Sequence, residues 1–173
     1  MPRRALAAAC ACVGLACASL PLPTPPALSP LPHLADCPGP LRPTQELEGD
    51  WVIHERIRVI GPKVDDSFQL VLQKTGPKLV LVGLTPFGAK AFSVTQIGVE
   101  TWPESYLGAA LAVPPENVLR DVHRAHFLVP ADPELEARTV TRDADGDVHV
   151  AARECGYEAI LAPISAVAPQ TAR

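Results

Sequence analysis

The sequence has no cluster of lysine or arginine residues and no apolar run long enough to cross a membrane. Its 15 basic and 19 acidic residues leave a formal net charge of −4, whereas nucleic acids select basic surfaces. The longest apolar run, from Ala5 to Leu20, has about 16 residues, fewer than the roughly 20 of a membrane-spanning helix. Prolines follow it and end any helix there. We therefore expect no nucleic-acid partner and no transmembrane helix in this segment.

The sequence also lacks the motif of a serine hydrolase. An esterase nucleophile stands in a Gly-x-Ser-x-Gly turn. None of the serines considered has this setting, which applies to Ser67, Ser93, Ser105 and Ser165. We therefore expect a protein that is not an enzyme, and a hydrolase is the least favoured alternative.

Metal-binding motifs are incomplete. His123 and His126 lie three apart with Asp121 nearby, but a zinc site needs three or four ligands and no second ligand pair accompanies them. The acidic run over residues 143–147 places Gly146 fourth, whereas a calcium loop needs its glycine sixth. Asp-Gly between two strands is typical of a hairpin. We predict a turn there and no metal or other cofactor.

The N-terminus has the pattern of a secretory signal. Arg3 and Arg4 precede twelve uncharged residues, Ala5 to Ala16, and a basic start before a short apolar stretch is typical of an export signal. We assign residues 1–16 to this signal. Its removal would change the net charge from −4 to −6.

The segment Leu15-Ala16-Cys17 resembles the end of a bacterial lipoprotein signal, in which the cysteine becomes the acylated N-terminus. We expect Cys17 to carry a lipid that inserts into a membrane, with ordinary cleavage further along as the alternative. Ala18 and Ser19 follow. By analogy with bacterial lipoproteins, the lack of aspartate there favours the outer membrane, with the chain facing the periplasm.

Two cysteines remain for the exported domain. If Cys10 and Cys12 leave with the signal and Cys17 is acylated, then Cys37 and Cys155 are left. In an oxidising compartment two such thiols favour a disulfide bond. Two separate buried thiols are the alternative.

Composition divides the exported chain into three parts. The Pro-rich stretch suits an extended spacer, so we assign residues 17–43 to the lipid anchor and tether. Residues 44–163 are predicted to fold as one β domain, and residues 164–173 as a tail.

Alternating polarity predicts most of the strands. Trp51, Ile53, Ile57 and Val59 share one face of the first strand. Further strands are predicted over residues 68–73, 79–84, 89–97, 139–141, 148–151 and 156–161. One helix after Pro114-Pro115 interrupts them, because proline suits a helix start and apolar residues follow at helical spacing. Sequential hairpins favour an antiparallel sheet.

The segment Leu79 to Gln96, LVLVGLTPFGAKAFSVTQ, resembles a family of short bacterial lipoproteins with an "LVGLTPFG…F" segment followed by a "PP" helix. That family is in turn similar to the LolA and LolB lipoprotein carriers, whose incomplete antiparallel barrel encloses an apolar cavity plugged by helices. The resemblance implies a mainly β (α+β) fold, an abbreviated half-barrel of about six to eight strands with one covering helix. It also implies lipid or lipoprotein handling.

From this we expect an outer-membrane lipoprotein that binds an acyl chain or a lipoprotein in an apolar cavity, without catalysis. The residues expected to line the cavity are Trp51, Phe68, Leu70, Leu84, Phe87 and Phe92. The alternative is a structural or protein-interaction lipoprotein of the envelope with a filled core. Neither the ligand nor a protein partner is identified by the sequence.

Overall fold

One antiparallel sheet of eight strands forms the body of the domain. A computed structural model of the chain describes residues 33–128 and 139–164. The sheet order is β5-β4-β3-β2-β1-β8-β7-β6. The strands are β1 (Trp51–Gly61), β2 (Val64–Thr75), β3 (Lys78–Leu84), β4 (Lys90–Ile97), β5 (Glu100–Ser105), β6 (Val140–Arg142), β7 (Val148–Ala152) and β8 (Tyr157–Pro163).

Tight turns and two-residue periodicity explain the strand pairs. Ile57 and Val59 on β1 are fully buried, while His54, Arg56 and Arg58 at the alternate positions face solvent. The two longest strands, β1 and β2, pair over their whole length, from Trp51↔Lys74 to Gly61↔Val64. At the β2–β3 turn Gly76 adopts a φ of 53°, a conformation that glycine tolerates without steric cost.

The sheet curls around the α-helix α1 (Pro115–His126). Although β4 and β5 lie at one edge of the sheet and β7 and β8 near the other, the helix contacts all four. The face of the sheet toward α1 is called the concave face here, and the opposite face the convex face. Because β5 and β6 do not pair, the barrel is unclosed. The predicted half-barrel with one covering helix is confirmed for the described residues.

Strand β5 was not among the predicted strands. Its sequence contains Pro103, which cannot donate to a β-ladder, and it shows no simple alternation. Proline is tolerated on an edge strand, where its missing N–H would face solvent. Because β5 pairs only with β4, Pro103 costs the sheet little.

Residues 33–43, assigned to the tether, are packed against the domain. Asn117 on α1 accepts a hydrogen bond from the Cys37 amide at 2.8 Å and donates one to the Ala35 carbonyl at 2.9 Å. Thr44 is fully buried and bonds to Gly98 in the β4–β5 turn. The spacer assignment is therefore wrong for these residues, because polar side chains of α1 satisfy their backbone groups.

A disulfide bond fixes this N-terminal segment. It joins Cys37 to Cys155, 118 residues further along the chain, just before β8. Cys37, Glu154 and Cys155 are also the one described cluster whose potential metal ligands lie close together. Their sulfurs are used in the disulfide, so the cluster is explained by the covalent bond.

No helix within residues 33–128 and 139–164 is both long and apolar enough to span a membrane. The signal segment 1–16, Cys17, the rest of the tether up to residue 32 and the tail from residue 165 lie outside the described residues.

Candidate functional site

The floor of the concave face is apolar and tightly packed. Phe68, Leu70 and Phe92 are all buried there, and the rings of Phe68 and Phe92 meet edge to face at 5.3 Å. Phe92 lies directly over Gly83, where an added Cβ would come within 2.3 Å of its ring. The glycine of the LVGLTPFG segment therefore leaves room for this aromatic ring.

Two of the predicted cavity residues lie elsewhere. Leu84 pairs with the exposed Gln69, whereas its neighbour Gly83 pairs with Leu70. Because successive side chains alternate between faces, Leu84 projects from the convex face. Phe87 lies at the tip of the β3–β4 turn and is 97% exposed. Both assignments are wrong, since an apolar run and its turn give no periodicity that separates one face from the other.

A cleft opens at the end of the half-barrel where β1 begins. It has a volume of about 330 Å³ and is lined by Arg42, Glu46, Leu47, Glu48, Trp51 and Phe127. We call it the Trp51–Phe127 cleft, because these two rings, 5.5 Å apart, form its aromatic wall. Trp51 is thus the predicted cavity residue that lines an opening. Phe127 was missed, because it follows the last helical turn and its packing depends on tertiary structure.

Behind this wall His123 belongs to a complete hydrogen-bond network. The Arg42 amide donates to Nδ1 at 3.0 Å, so the neutral ring carries its proton on Nε2 and donates it to Gln96 Oε1 at 2.8 Å. The Gln96 amide donates in turn to the Arg42 and Gly98 carbonyls. Burial lowers the pKa of His123 to about 4. With both ring nitrogens occupied, His123 serves to hold the N-terminal segment on the domain.

Glu55, which is buried, pairs with the more exposed His126, and this pair is incomplete. His126 Nε2 donates to Glu55 Oε2 at 2.9 Å, and Glu55 is 3% exposed. Among the described residues, Glu55 Oε1 has no hydrogen-bond partner. A buried polar atom left unpaired costs about 1–3 kcal/mol, so this oxygen is a candidate for ligand contact.

The position of Glu55 in the sequence indicates a buried carboxylate, although it was not among the predicted site residues. Trp51, Ile53, Ile57 and Val59 were assigned to one face of β1, and Glu55 stands in the same register between them. A carboxylate on an apolar face is uncommon unless it is paired. The alternation along β1 therefore predicts that Glu55 is buried and needs a partner.

Asp121 is the other deeply buried carboxylate. It accepts a hydrogen bond from the Tyr157 hydroxyl at 2.9 Å, and the Arg124 guanidinium lies 3.6 Å from its Oδ1. Burial raises the pKa of Asp121 to about 7, although the Tyr157 bond and the Arg124 charge favour the ionised form. Together with the Arg124–Glu154 ion pair, these contacts connect α1 to the start of β8 and to the residue next to Cys155.

A wider cleft of about 630 Å³ lies between the β1–β2 turn and strands β6 to β8. It contains His149, which contacts Glu158 at 2.9 Å through Nδ1 and Asp143 at 3.5 Å through Nε2. The hydrogen bond to Glu158 raises the pKa of His149. The two carboxylates lie at opposite nitrogens of the ring and therefore cannot share one metal ion with it. Asp143 also caps the predicted turn by accepting two backbone N–H groups.

Comparison with known proteins gives one match. A family model described as "Protein of unknown function (DUF3261)" matches residues 53–153. No curated protein and no solved structure matches the chain. The matched segment runs from Ile53, the third residue of β1, through β7, so it includes the concave floor and α1.

Proposed function

The chain belongs to the DUF3261 family of proteins of unknown function, and we propose that it is an outer-membrane lipoprotein that binds an acyl chain without catalysis. The observation that carries the proposal is an unclosed sheet with an apolar concave face, together with the Trp51–Phe127 cleft at the end of the half-barrel where β1 begins. Ligand sites are typically concave and mostly apolar with a few polar groups.

The lining of the entrance fits an amphiphile. Trp51 and Phe127 offer apolar surface, while Arg42 and Glu46 form an ion pair at 3.4 Å on its rim. Ile53, two residues along the same face of β1 from Trp51, packs against the core and continues the apolar surface. A polar rim followed by apolar surface matches a lipid, in which a polar head group is followed by an acyl chain.

Two features support an extracytoplasmic carrier. Disulfide bonds form and persist in oxidising compartments, and residues 1–16 have the pattern of an export signal, with Cys17 directly after it. We further propose that the half-barrel is related in architecture to LolA and LolB, and that its ligand is a lipid or the acyl part of a lipoprotein.

A specific observation favours a second candidate. Phe68, Leu70 and Phe92 pack against one another with little exposure, so the floor below the cleft is filled in this conformation. A filled core of this kind is sufficient for a structural or protein-interaction lipoprotein of the envelope, which needs no ligand cavity. An acyl chain would have to lie along Trp51 and Ile53 or displace part of the floor.

Native mass spectrometry of the intact chain, extracted from cells and washed free of detergent, tests the proposal. We expect a bound mass of lipid size that organic extraction removes. Trp51→Ala should reduce its occupancy several-fold because it removes half of the aromatic wall. Trp102→Ala is the matched control, since this tryptophan is 48% exposed on β5, away from the cleft. A ligand-free wild type that also fails to take up added lipid would favour the second candidate.

The anchor has a separate test. Metabolic labelling with palmitate should mark the wild-type chain, and Cys17→Ala should abolish the label. Labelling that persists in this variant would place the acylation elsewhere and refute the assignment of Cys17.

A further inference from the structure

Glu55 offers an unused acceptor on the concave face. Its Oε2 accepts a hydrogen bond from His126, whereas Oε1 has no hydrogen-bond partner within residues 33–128 and 139–164. The side chain is 4% exposed, and that of His126 is 23% exposed. The pair therefore reaches from the surface of α1 into the interior.

The pair is next to the Trp51–Phe127 cleft. Glu55 and Trp51 project from the same face of β1 with Ile53 between them, and four residues of extended strand correspond to about 13 Å. On the other side, His126 directly precedes Phe127, and their rings lie 6.0 Å apart. A molecule that enters the cleft and follows β1 inward would meet Glu55.

Asp121 and Glu55 differ in what lies beside their unpaired oxygens. Asp121 Oδ1 also lacks a hydrogen bond, but the Arg124 guanidinium lies 3.6 Å away as a charged neighbour. Among the described residues, no lysine or arginine forms an ion pair with Glu55, and its contact with His126 is made through the other oxygen. Oε1 is thus the buried acceptor that the fold leaves without compensation.

We propose that the ligand carries an N–H or O–H donor beside its acyl chain, and that Glu55 Oε1 accepts this donor while Trp51 and Phe127 hold the chain. An acyl amide has this chemistry. The inference rests on the proposed function and adds ligand specificity to it. A site built to accept a hydrogen bond rejects an analogue that lacks the donor, because its buried acceptor then stays unpaired.

Two probes with the same chain and carbonyl provide the test, one with N–H donors and one with N-methyl groups in their place. Dodecanamide has two N–H donors, and N,N-dimethyldodecanamide has none, while the chain and the carbonyl are the same. Titration calorimetry of the full chain should show dodecanamide binding about tenfold more tightly or better, the effect of one buried hydrogen bond. The double variant Glu55→Leu/His126→Leu should bind both with equal affinity. Replacing both partners of an ion pair by apolar side chains is often tolerated, and thermal unfolding would verify the fold.

The wild-type comparison decides the question even if the double variant does not fold. Equal affinities of the wild type for both amides would overturn the inference and leave the proposed function standing. Binding of neither would overturn both. A preference for dodecanamide that survives in a folded double variant would show that Glu55 is not the acceptor, and so would also contradict the inference.

Discussion

Two histidines three residues apart on one helix meet opposite surroundings. His123 is fully buried, and each of its ring nitrogens has a partner from the N-terminal segment or β4. His126, at the end of α1, satisfies one oxygen of Glu55 and leaves the other unpaired. Phe127 separates the two, with its ring 5.2 Å from that of His123 and 6.0 Å from that of His126.

The difference distinguishes a group that holds the fold from one that is open to a ligand. A satisfied polar network fixes its partners in place, whereas a partly satisfied one is costly unless something else completes it. On this account the His123–Gln96 network stabilises the end of the half-barrel. The Glu55–His126 pair beside it has one acceptor that a donor on a ligand can use. The following predictions test that division.

The largest effect is expected from loss of the disulfide. Cys37→Ala/Cys155→Ala frees the N-terminal segment whose Arg42 amide completes the His123 network. We expect the free energy of unfolding to fall by about 2–5 kcal/mol, the usual loss for a bond that closes a long loop. Denaturant titration would measure it, and amide exchange at Arg42 should accelerate. An unchanged exchange rate would mean that the network stands without the bond.

A smaller loss is expected when the network itself is broken. Gln96→Leu removes the acceptor of His123 and the donor to two carbonyls. The expected destabilisation is about 2–4 kcal/mol, since several buried groups lose their partners. Gln69→Leu is the matched control on the exposed side of β2 and should change stability by less than about 0.5 kcal/mol. Equal effects of the two substitutions would refute a structural role for the network.

Asp121 and His123 should oppose each other in the pH dependence of stability. Folded Asp121 keeps its proton up to about pH 7, whereas unfolded aspartate loses it near pH 4, so its contribution falls as the pH rises between these values. Folded His123 stays neutral down to about pH 4, whereas unfolded histidine gains a proton below about pH 6.5, so its contribution rises with pH over that range.

Asp121→Asn removes the first contribution and exposes the second. Its stability should increase from pH 4.5 to 6.5, relative to wild type, by an amount on the order of 3 kcal/mol. Unfolding by denaturant at the two pH values would measure the difference. A variant that follows the wild-type pH profile would contradict the raised pKa of Asp121.

The smallest change in stability is expected at the open pair. Glu55→Leu/His126→Leu removes the unpaired oxygen together with its partner, so stability should stay within about 1 kcal/mol of wild type or increase. The matched double variant Gln96→Leu/His123→Leu should be clearly less stable, because the Arg42 amide and carbonyl lose their bonds. A large loss of stability in the Glu55→Leu/His126→Leu variant would mean that this pair holds the fold, as the His123–Gln96 network does.

The fold was largely accessible from the sequence because its signals are local. Alternation along β1 and β2, and the Pro114-Pro115 start of α1, depend on neighbouring residues alone. Strand β5 was missed, since Pro103 and the absence of alternation are explained only by its position at the sheet edge.

The site was accessible in part. Phe68, Leu70 and Phe92 reach the concave face as their periodicity indicates, but Phe87 has no periodicity to follow at its turn. The Glu55–His126 pair joins residues 71 positions apart. Such a pairing depends on where α1 crosses the sheet, which no local pattern encodes.

The most direct test of the proposed acyl site uses the two tryptophans as reporters. A dodecanamide brominated along its chain quenches a tryptophan that it touches. In the Trp102→Phe protein, we predict that it quenches Trp51 fluorescence in a saturable manner, and that unlabelled dodecanamide reverses this. In the Trp51→Phe protein, Trp102 should stay unquenched at the same concentrations. Absence of saturable quenching of Trp51, or equal quenching of both tryptophans, would contradict an acyl site at the Trp51–Phe127 cleft.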